Sequence, residues 1–183
     1  MIREAVLFMS LKSLKIRMCN QIHASLGKSK PWVFYLCVIL AVLSGVLGVF
    51  FSYEKSIAAA LVLPKLCMPL LLIFLIDTAM LLLVGAAMGI IWSNCVRAKE
   101  TLKYKTVILT ICMLLFVFIR APLLFATANC FLLFVACAAV LALSAGAALL
   151  CAKIDAFAAK LMLLFAIWSA YLFFVSFGLL ILN

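Results

Sequence analysis

Five long apolar runs fill the chain between Trp32 and Leu182, and they restrict its fold more than any other feature. A helix needs roughly 20 apolar residues to cross a bilayer core about 30 Å thick, and every run is long enough. Of the 183 residues, 71% are hydrophobic and 11% are charged, which excludes a water-soluble domain of this size. Because backbone groups at this depth must be hydrogen-bonded within the chain, we predict an all-α membrane protein with a bundle of five transmembrane helices. The predicted spans are residues 32–51, 69–92, 106–125, 130–152 and 156–182.

The N-terminal residues 1–31 form a separate predicted segment ahead of the transmembrane domain of residues 32–183. Apolar residues recur in it at helical spacing, and three basic residues lie off that stripe. This pattern predicts a short basic amphipathic helix that lies on an anionic membrane surface. A targeting segment, or a start of translation at a later methionine, is the alternative interpretation. The apolar stripe consists of Leu7, Leu11, Leu14, Met18 and Ile22.

Lysine and arginine residues outside the spans fall mostly on one side of the predicted topology. They lie in residues 1–31, in the loop after the second span and in the turn at Lys153. Since basic loops stay in the cytoplasm, we predict a cytoplasmic N-terminus and an external C-terminus. We expect a multi-pass protein of the cell membrane.

Two opposite charges, Asp77 and Arg120, lie inside the second and third predicted spans. Asp77 is about 12 Å and Arg120 roughly 8 Å from the outer ends of their helices at 1.5 Å per residue. A bare charge at that depth costs about 3 kcal/mol or more, so two charges at matching depth predict an ion pair. Three interpretations stay open: a pair that only fixes the helices, a pair whose arginine also faces an anionic ligand, and an arginine that reaches the outer surface.

The chain shows no constellation of catalytic side chains, no phosphate-binding loop and no paired carboxylates. The eight cysteines are scattered, without a CxxC motif, and the single histidine, His23, precedes the spans. We therefore expect no enzymatic activity, no metal site and no cofactor. The distribution of the basic residues indicates the orientation of the chain in the membrane, so we expect no nucleic-acid partner.

Prolines, glycines and aromatic residues occur along the spans in a fixed register. Pro122-Leu-Leu-Phe occurs in the third span, Ile154-Asp155-Ala-Phe-Ala-Ala opens the fifth, and Trp168 and Tyr171 follow there. In this register the chain resembles the TspO/MBR family, the tryptophan-rich sensory proteins, over about residues 32–183. The resemblance implies five helices and a hydrophobic ligand pocket. The residues that match the entry to the family's second helix are Pro64, Pro69, Thr78, Gly85 and Trp92.

The chain departs from the family pattern at the charge pair, because Asp77 and Arg120 stand where the resemblance places pocket tryptophans. The family's photochemical breakdown of porphyrin is therefore not predicted. The leading hypothesis is a binding or sensory protein for a hydrophobic, anionic small molecule, with a tetrapyrrole as the first candidate. The predicted ligand-binding residues are Asp77, Arg120, Phe125, Phe165, Trp168 and Tyr171.

Two other classes of function stay open. Asp77 would serve a small proton-coupled transporter or exporter as its coupling carboxylate. A structural or assembly partner is the third class, for which the basic N-terminal segment is the main indication. The expected partners are the lipid bilayer and the small-molecule ligand. The Gly85-x-x-x-Gly89 pattern fits either packing within the bundle or a homodimer.

Overall fold

The computed structural model describes residues 35, 38–39, 41–43, 46, 67–93, 100–125 and 129–183. Long α-helices account for most of these residues, and none of the described residues is in a strand. The four long helices are α1 (Leu70–Ser93), α2 (Glu100–Phe125), α3 (Cys130–Ala152) and α4 (Ala156–Leu182).

All four helices are long and apolar enough to cross a membrane, with candidate spans of 20 to 27 residues. They confirm the predicted all-α membrane class and correspond to the second through fifth predicted spans. The first predicted span, residues 32–51, lies mostly outside the described residues, and those described within it are helical. A fifth transmembrane helix therefore stays a prediction. The amphipathic helix predicted for residues 1–31 lies outside the described residues altogether.

Side-chain caps fix where α3 and α4 begin. The Asn129 side-chain oxygen accepts a hydrogen bond from the Leu132 N–H at 3.0 Å. One carboxylate oxygen of Asp155 accepts from the N–H groups of Phe157 and Ala158, at 2.7 and 3.0 Å. The first N–H groups of a helix have no partner within it, so asparagine and aspartate at these positions stabilise the helix start.

Helix α2 begins at Glu100, whereas the sequence predicted a basic loop up to Thr106. Lys103 and Lys105 are therefore helical residues. Hydropathy marks where the hydrocarbon region ends, and a helix that hydrogen-bonds its own backbone continues beyond that point. Lys103 Nζ donates a hydrogen bond to the Trp92 carbonyl near the end of α1 and lies 5.4 Å from the centre of the Trp92 ring.

The helices pack around the bundle in the order α1, α4, α3, α2, and α1 and α2 contact each other only slightly. We call the end with the α3–α4 turn the Asp155 end and the opposite end, where α3 begins, the Asn129 end. A large apolar cluster runs from Cys151 and Ala158 at the Asp155 end to Phe165 and Val117. A smaller cluster, which includes Cys130, lies at the Asn129 end.

Small and hydroxyl side chains allow the helices to approach without leaving polar groups unsatisfied. A Cβ atom on Gly146 of α3 would lie 3.3 Å from a Leu109 methyl carbon of α2. Gly85 and Gly89 are buried within the bundle, which favours packing inside the protein for this pattern. The buried Thr110 hydroxyl donates back to the Thr106 carbonyl at 2.8 Å. No buried side-chain nitrogen or oxygen atom lacks a hydrogen-bond partner among the described residues.

Candidate functional site

Asp77 of α1 and Arg120 of α2 form an ion pair inside the bundle, as the depth argument predicted. The Arg120 guanidinium donates a hydrogen bond to the Asp77 Oδ2 atom. The Arg120 and Asp77 side chains are 14% and 15% exposed. Because α1 and α2 contact each other only slightly, this pair and the Lys103–Trp92 hydrogen bond are notable polar links between the two helices.

Trp168 of α4 supplies the second partner of the Asp77 carboxylate. Its indole Nε1–H donates a hydrogen bond to Asp77 Oδ1 at 2.9 Å. Each carboxylate oxygen thus accepts from a different helix, Oδ2 from α2 and Oδ1 from α4. Two donors of this kind hold a carboxylate in one orientation and compensate for its removal from water.

Helix α3 contributes the buried thiol of Cys137, which lies near enough to the Arg120 guanidinium and to the Ser176 side chain of α4 to influence them electrostatically. The Ser176 hydroxyl in turn donates to the Phe173 carbonyl at 2.8 Å. All four described helices therefore contribute to one polar group, which we call the polar centre: Asp77, Arg120, Cys137, Trp168 and Ser176. Its two ionised side chains carry opposite charges.

Tyr171 connects the polar centre to the segment that precedes α1. Its ring stacks on Trp168, with ring centres 5.1 Å apart and 27° between the planes. Its hydroxyl oxygen accepts a hydrogen bond from the Met68 backbone N–H at 3.2 Å. Cys67, the neighbour of Met68, packs against the Asn129-end cluster, and burial raises the pKa of its thiol.

The structure brings together four of the six residues predicted to bind a ligand: Asp77, Arg120, Trp168 and Tyr171. Phe165 is only 1% exposed and belongs to the large apolar cluster, so its contacts in this structure are core contacts. Phe125 ends α2, and its side chain lies outside what the structure describes. A role in ligand binding stays a prediction for all six residues.

Sequence reasoning missed Cys137 and Ser176, and it did not predict the hydrogen bond from Trp168 to Asp77. Cys137 lies seven residues into α3 and Ser176 six residues before the end of α4. The depth arithmetic that paired Asp77 with Arg120 would have placed both near the same level. A cysteine or serine in an apolar helix more often packs or bonds its own backbone, so neither residue type indicates a site by itself.

The described residues contain no group of histidine, cysteine, aspartate or glutamate side chains that could hold a metal ion. The described cysteines, at positions 67, 112, 130, 137 and 151, are not in disulfides. The chemistry available at the polar centre is therefore that of a guanidinium, a carboxylate, an indole N–H, a thiol and a hydroxyl.

Long apolar helices that converge on a partly accessible ion pair define a membrane protein with a polar centre inside its bundle. A family model described as TspO/MBR family matches residues 34–182. The chain belongs to the TspO/MBR family, which confirms the resemblance drawn from its sequence. No match to this chain is found among curated proteins.

Proposed function

We propose that this protein is a TspO-type binding or sensory protein for a hydrophobic, anionic small molecule, with a tetrapyrrole as the first candidate. In this proposal the protein binds its ligand without catalysing a reaction, and the bilayer is its other partner. Membership of the TspO/MBR family supports the general class, and the polar centre supports the choice of an anionic ligand.

The observation that carries the proposal is the Arg120 guanidinium within the bundle at 14% exposure. A guanidinium presents five N–H donors in a rigid fork, and a hydrogen bond to Asp77 Oδ2 employs one of them. It also matches the geometry of a carboxylate better than an ammonium does. The stacked rings of Trp168 and Tyr171 next to Asp77 provide flat apolar surface beside the charge.

Tryptophan fluorescence can test the proposal because the tryptophans occupy different places in the chain. Trp168 belongs to the polar centre, whereas Trp92 lies near the Asp155 end and is 42% exposed. We expect protoporphyrin or haemin to quench the purified protein saturably at micromolar concentration. Trp168→Phe should remove most of this quenching, and the matched control Trp92→Phe should retain it.

Two results would count against the proposal. Absence of saturable quenching at micromolar protoporphyrin and haemin would exclude the tetrapyrrole version. Saturable binding that Arg120→Gln leaves unchanged would place the anion elsewhere and exclude the polar centre as the site. The expected result is at least a tenfold loss of affinity in Arg120→Gln, about what 1.4 kcal/mol of a lost charge-assisted hydrogen bond produces.

The second candidate function is a small proton-coupled transporter or exporter. It is favoured by one observation, a carboxylate that lies inside the apolar helix α1 and is 15% exposed. A pH-dependent flux in proteoliposomes that disappears in Asp77→Asn would favour the transporter. Saturable binding without any flux would favour the sensor.

A further inference from the structure

The charge balance of the polar centre restricts how an anion can bind there. Asp77 and Arg120 neutralise each other, so the resting centre already holds one negative charge for its one positive charge. An incoming anion beside an ionised Asp77 would place two negative charges against one guanidinium. Like charges that share an apolar site disfavour each other's ionised forms, and an uncompensated charge within the bilayer is costly.

We propose that an anionic ligand and a proton bind to the polar centre together, the anion at Arg120 and the proton at Asp77. This inference rests on the proposed function and adds a regulatory property to the same site. In the binding step, the Arg120 N–H that donates to Asp77 Oδ2 donates instead to an oxygen of the ligand. A proton from the buffered solution joins Oδ2, its conjugate base stays in solution, and the centre again holds one positive and one negative charge.

The hydrogen bond from Trp168 explains how Asp77 can exchange partners without leaving its position. Trp168 Nε1–H donates to Oδ1, which is not the oxygen that Arg120 contacts. In a carboxylic acid protonated at Oδ2, Oδ1 remains an acceptor, so this hydrogen bond persists in both states. The protonated Oδ2 becomes a donor. Its O–H can donate to an oxygen of the anion that has replaced Asp77 at Arg120.

The other titratable side chains around Asp77 do not provide an equivalent proton acceptor. Arg120 of α2 keeps its proton at all relevant pH values. Cys137 of α3 faces the guanidinium, and the Tyr171 hydroxyl of α4 accepts the Met68 N–H. Among the described residues that surround the centre, Asp77 is the carboxylate in contact with the guanidinium.

The test requires a probe whose own charge is constant, so we choose the fluorescent arylsulfonate anilinonaphthalene sulfonate. Its affinity for the purified full-length protein in detergent is measured between about pH 6 and 9, where an ordinary carboxylate is ionised. One proton taken up per anion weakens wild-type binding by about tenfold for each unit of pH increase. Calorimetry in buffers of different ionisation enthalpy should give close to one proton bound per anion.

Asp77→Asn is the decisive variant, because asparagine imitates the protonated acid and can still accept from Trp168. Its affinity should not change with pH, and at the alkaline end it should exceed that of the wild type. Asp155→Asn is the matched control. It changes an aspartate that caps α4 at the opposite end of the bundle, and asparagine caps helices equally well. This control should keep the pH dependence and the proton uptake of the wild type.

The outcomes separate this inference from the proposed function. Saturable binding that depends on Arg120 but takes up no proton would overturn the inference and leave the anion site in place. The same holds if Asp77→Asn retains the full pH dependence. Absence of saturable, Arg120-dependent binding would overturn both. Proton uptake is measured on the wild type, so its absence would overturn the inference even if Asp77→Asn fails to fold.

Discussion

Removal of either partner of the Asp77–Arg120 ion pair is expected to destabilise the bundle. The free energy of unfolding should fall by different amounts in the two variants. Asp77→Ala leaves a guanidinium that cannot lose its proton and also removes the acceptor of Trp168 Nε1–H. Arg120→Ala leaves a carboxylate that can become neutral by protonation and keep its Trp168 hydrogen bond. Breaking a buried pair costs about 3–5 kcal/mol, so Asp77→Ala belongs at the upper end and Arg120→Ala at the lower end.

The double variant Asp77→Ala/Arg120→Ala should be more stable than either single variant. It contains neither charge, and its remaining polar defect is the indole N–H of Trp168 without its acceptor. A buried donor in that condition costs about 1–3 kcal/mol. The double-mutant cycle should therefore give a coupling free energy well above about 1 kcal/mol.

The free energies can be measured by reversible unfolding of the purified protein in mixed detergent micelles with increasing sodium dodecyl sulfate. Cys130, Cys137 and Cys151 are buried cysteines outside disulfides, so a thiol-reactive dye reports the exposure of the core. A control cycle combines Asp77→Ala with Asp155→Ala. Asp155 lies at the end of the bundle where α1 ends, and the part of α1 from Asp77 to Ser93 is about 24 Å long. The two decreases in the free energy of unfolding should therefore add within about 0.5 kcal/mol. If the Asp77/Arg120 cycle is equally additive, the two side chains do not stabilise the bundle as a pair.

Three further predictions concern the remaining hydrogen bonds. Trp168→Phe keeps a ring for stacking but loses the donor to Asp77, and it should lower the free energy of unfolding by about 1.5–3 kcal/mol in the same assay. Tyr171→Phe removes the acceptor of the Met68 N–H, so we expect a loss of about 0.5–1.5 kcal/mol and faster hydrogen exchange at that amide. Asp155→Ala uncaps α4 and should cost about 0.5–2 kcal/mol, whereas Asp155→Asn should be close to neutral in a thermal melt.

Much of the fold could be predicted from hydropathy, because a helix that must satisfy its backbone in hydrocarbon has to be as long as the bilayer is thick. The bounds of α1, α3 and α4 agree with the predicted spans to within one residue. The predicted third span begins six residues after the start of α2, because the sequence predicts a loop at Lys103 and Lys105. Hydropathy carries no information about a polar helical turn that continues beyond the hydrocarbon. In this turn Lys103 donates to the Trp92 carbonyl of α1, a contact between helices that the local sequence does not indicate.

The candidate site could be predicted only as far as charge and depth define it. The cost of an isolated charge predicted that Asp77 and Arg120 meet, and the structure places them in contact. The rotation of each helix about its own axis is not predictable from the sequence, since the membrane spans of the four helices show little difference in hydrophobicity between their sides. The participation of Trp168 and Cys137 depends on that rotation, which neighbouring helices set through packing.

In the register of the resemblance, Asp77 and Arg120 stand at positions of pocket tryptophans, and their contact means that the two departures are best considered together. Either charge alone in place of a pocket tryptophan would leave an uncompensated ion within the bundle, whereas the two together form a neutral pair. The exchange replaces flat apolar surface by an ion pair whose acid is oriented by Trp168. The pocket implied by the resemblance, with two tryptophans, would select a ligand by shape and stacking and would contribute no titratable group of its own. Under the proposal above, the paired arginine and aspartate select by charge, and the aspartate changes its partner or its proton when an anion binds. The departure from the family pattern therefore predicts a change in the kind of selectivity, from the shape of the ligand to its ionisation state.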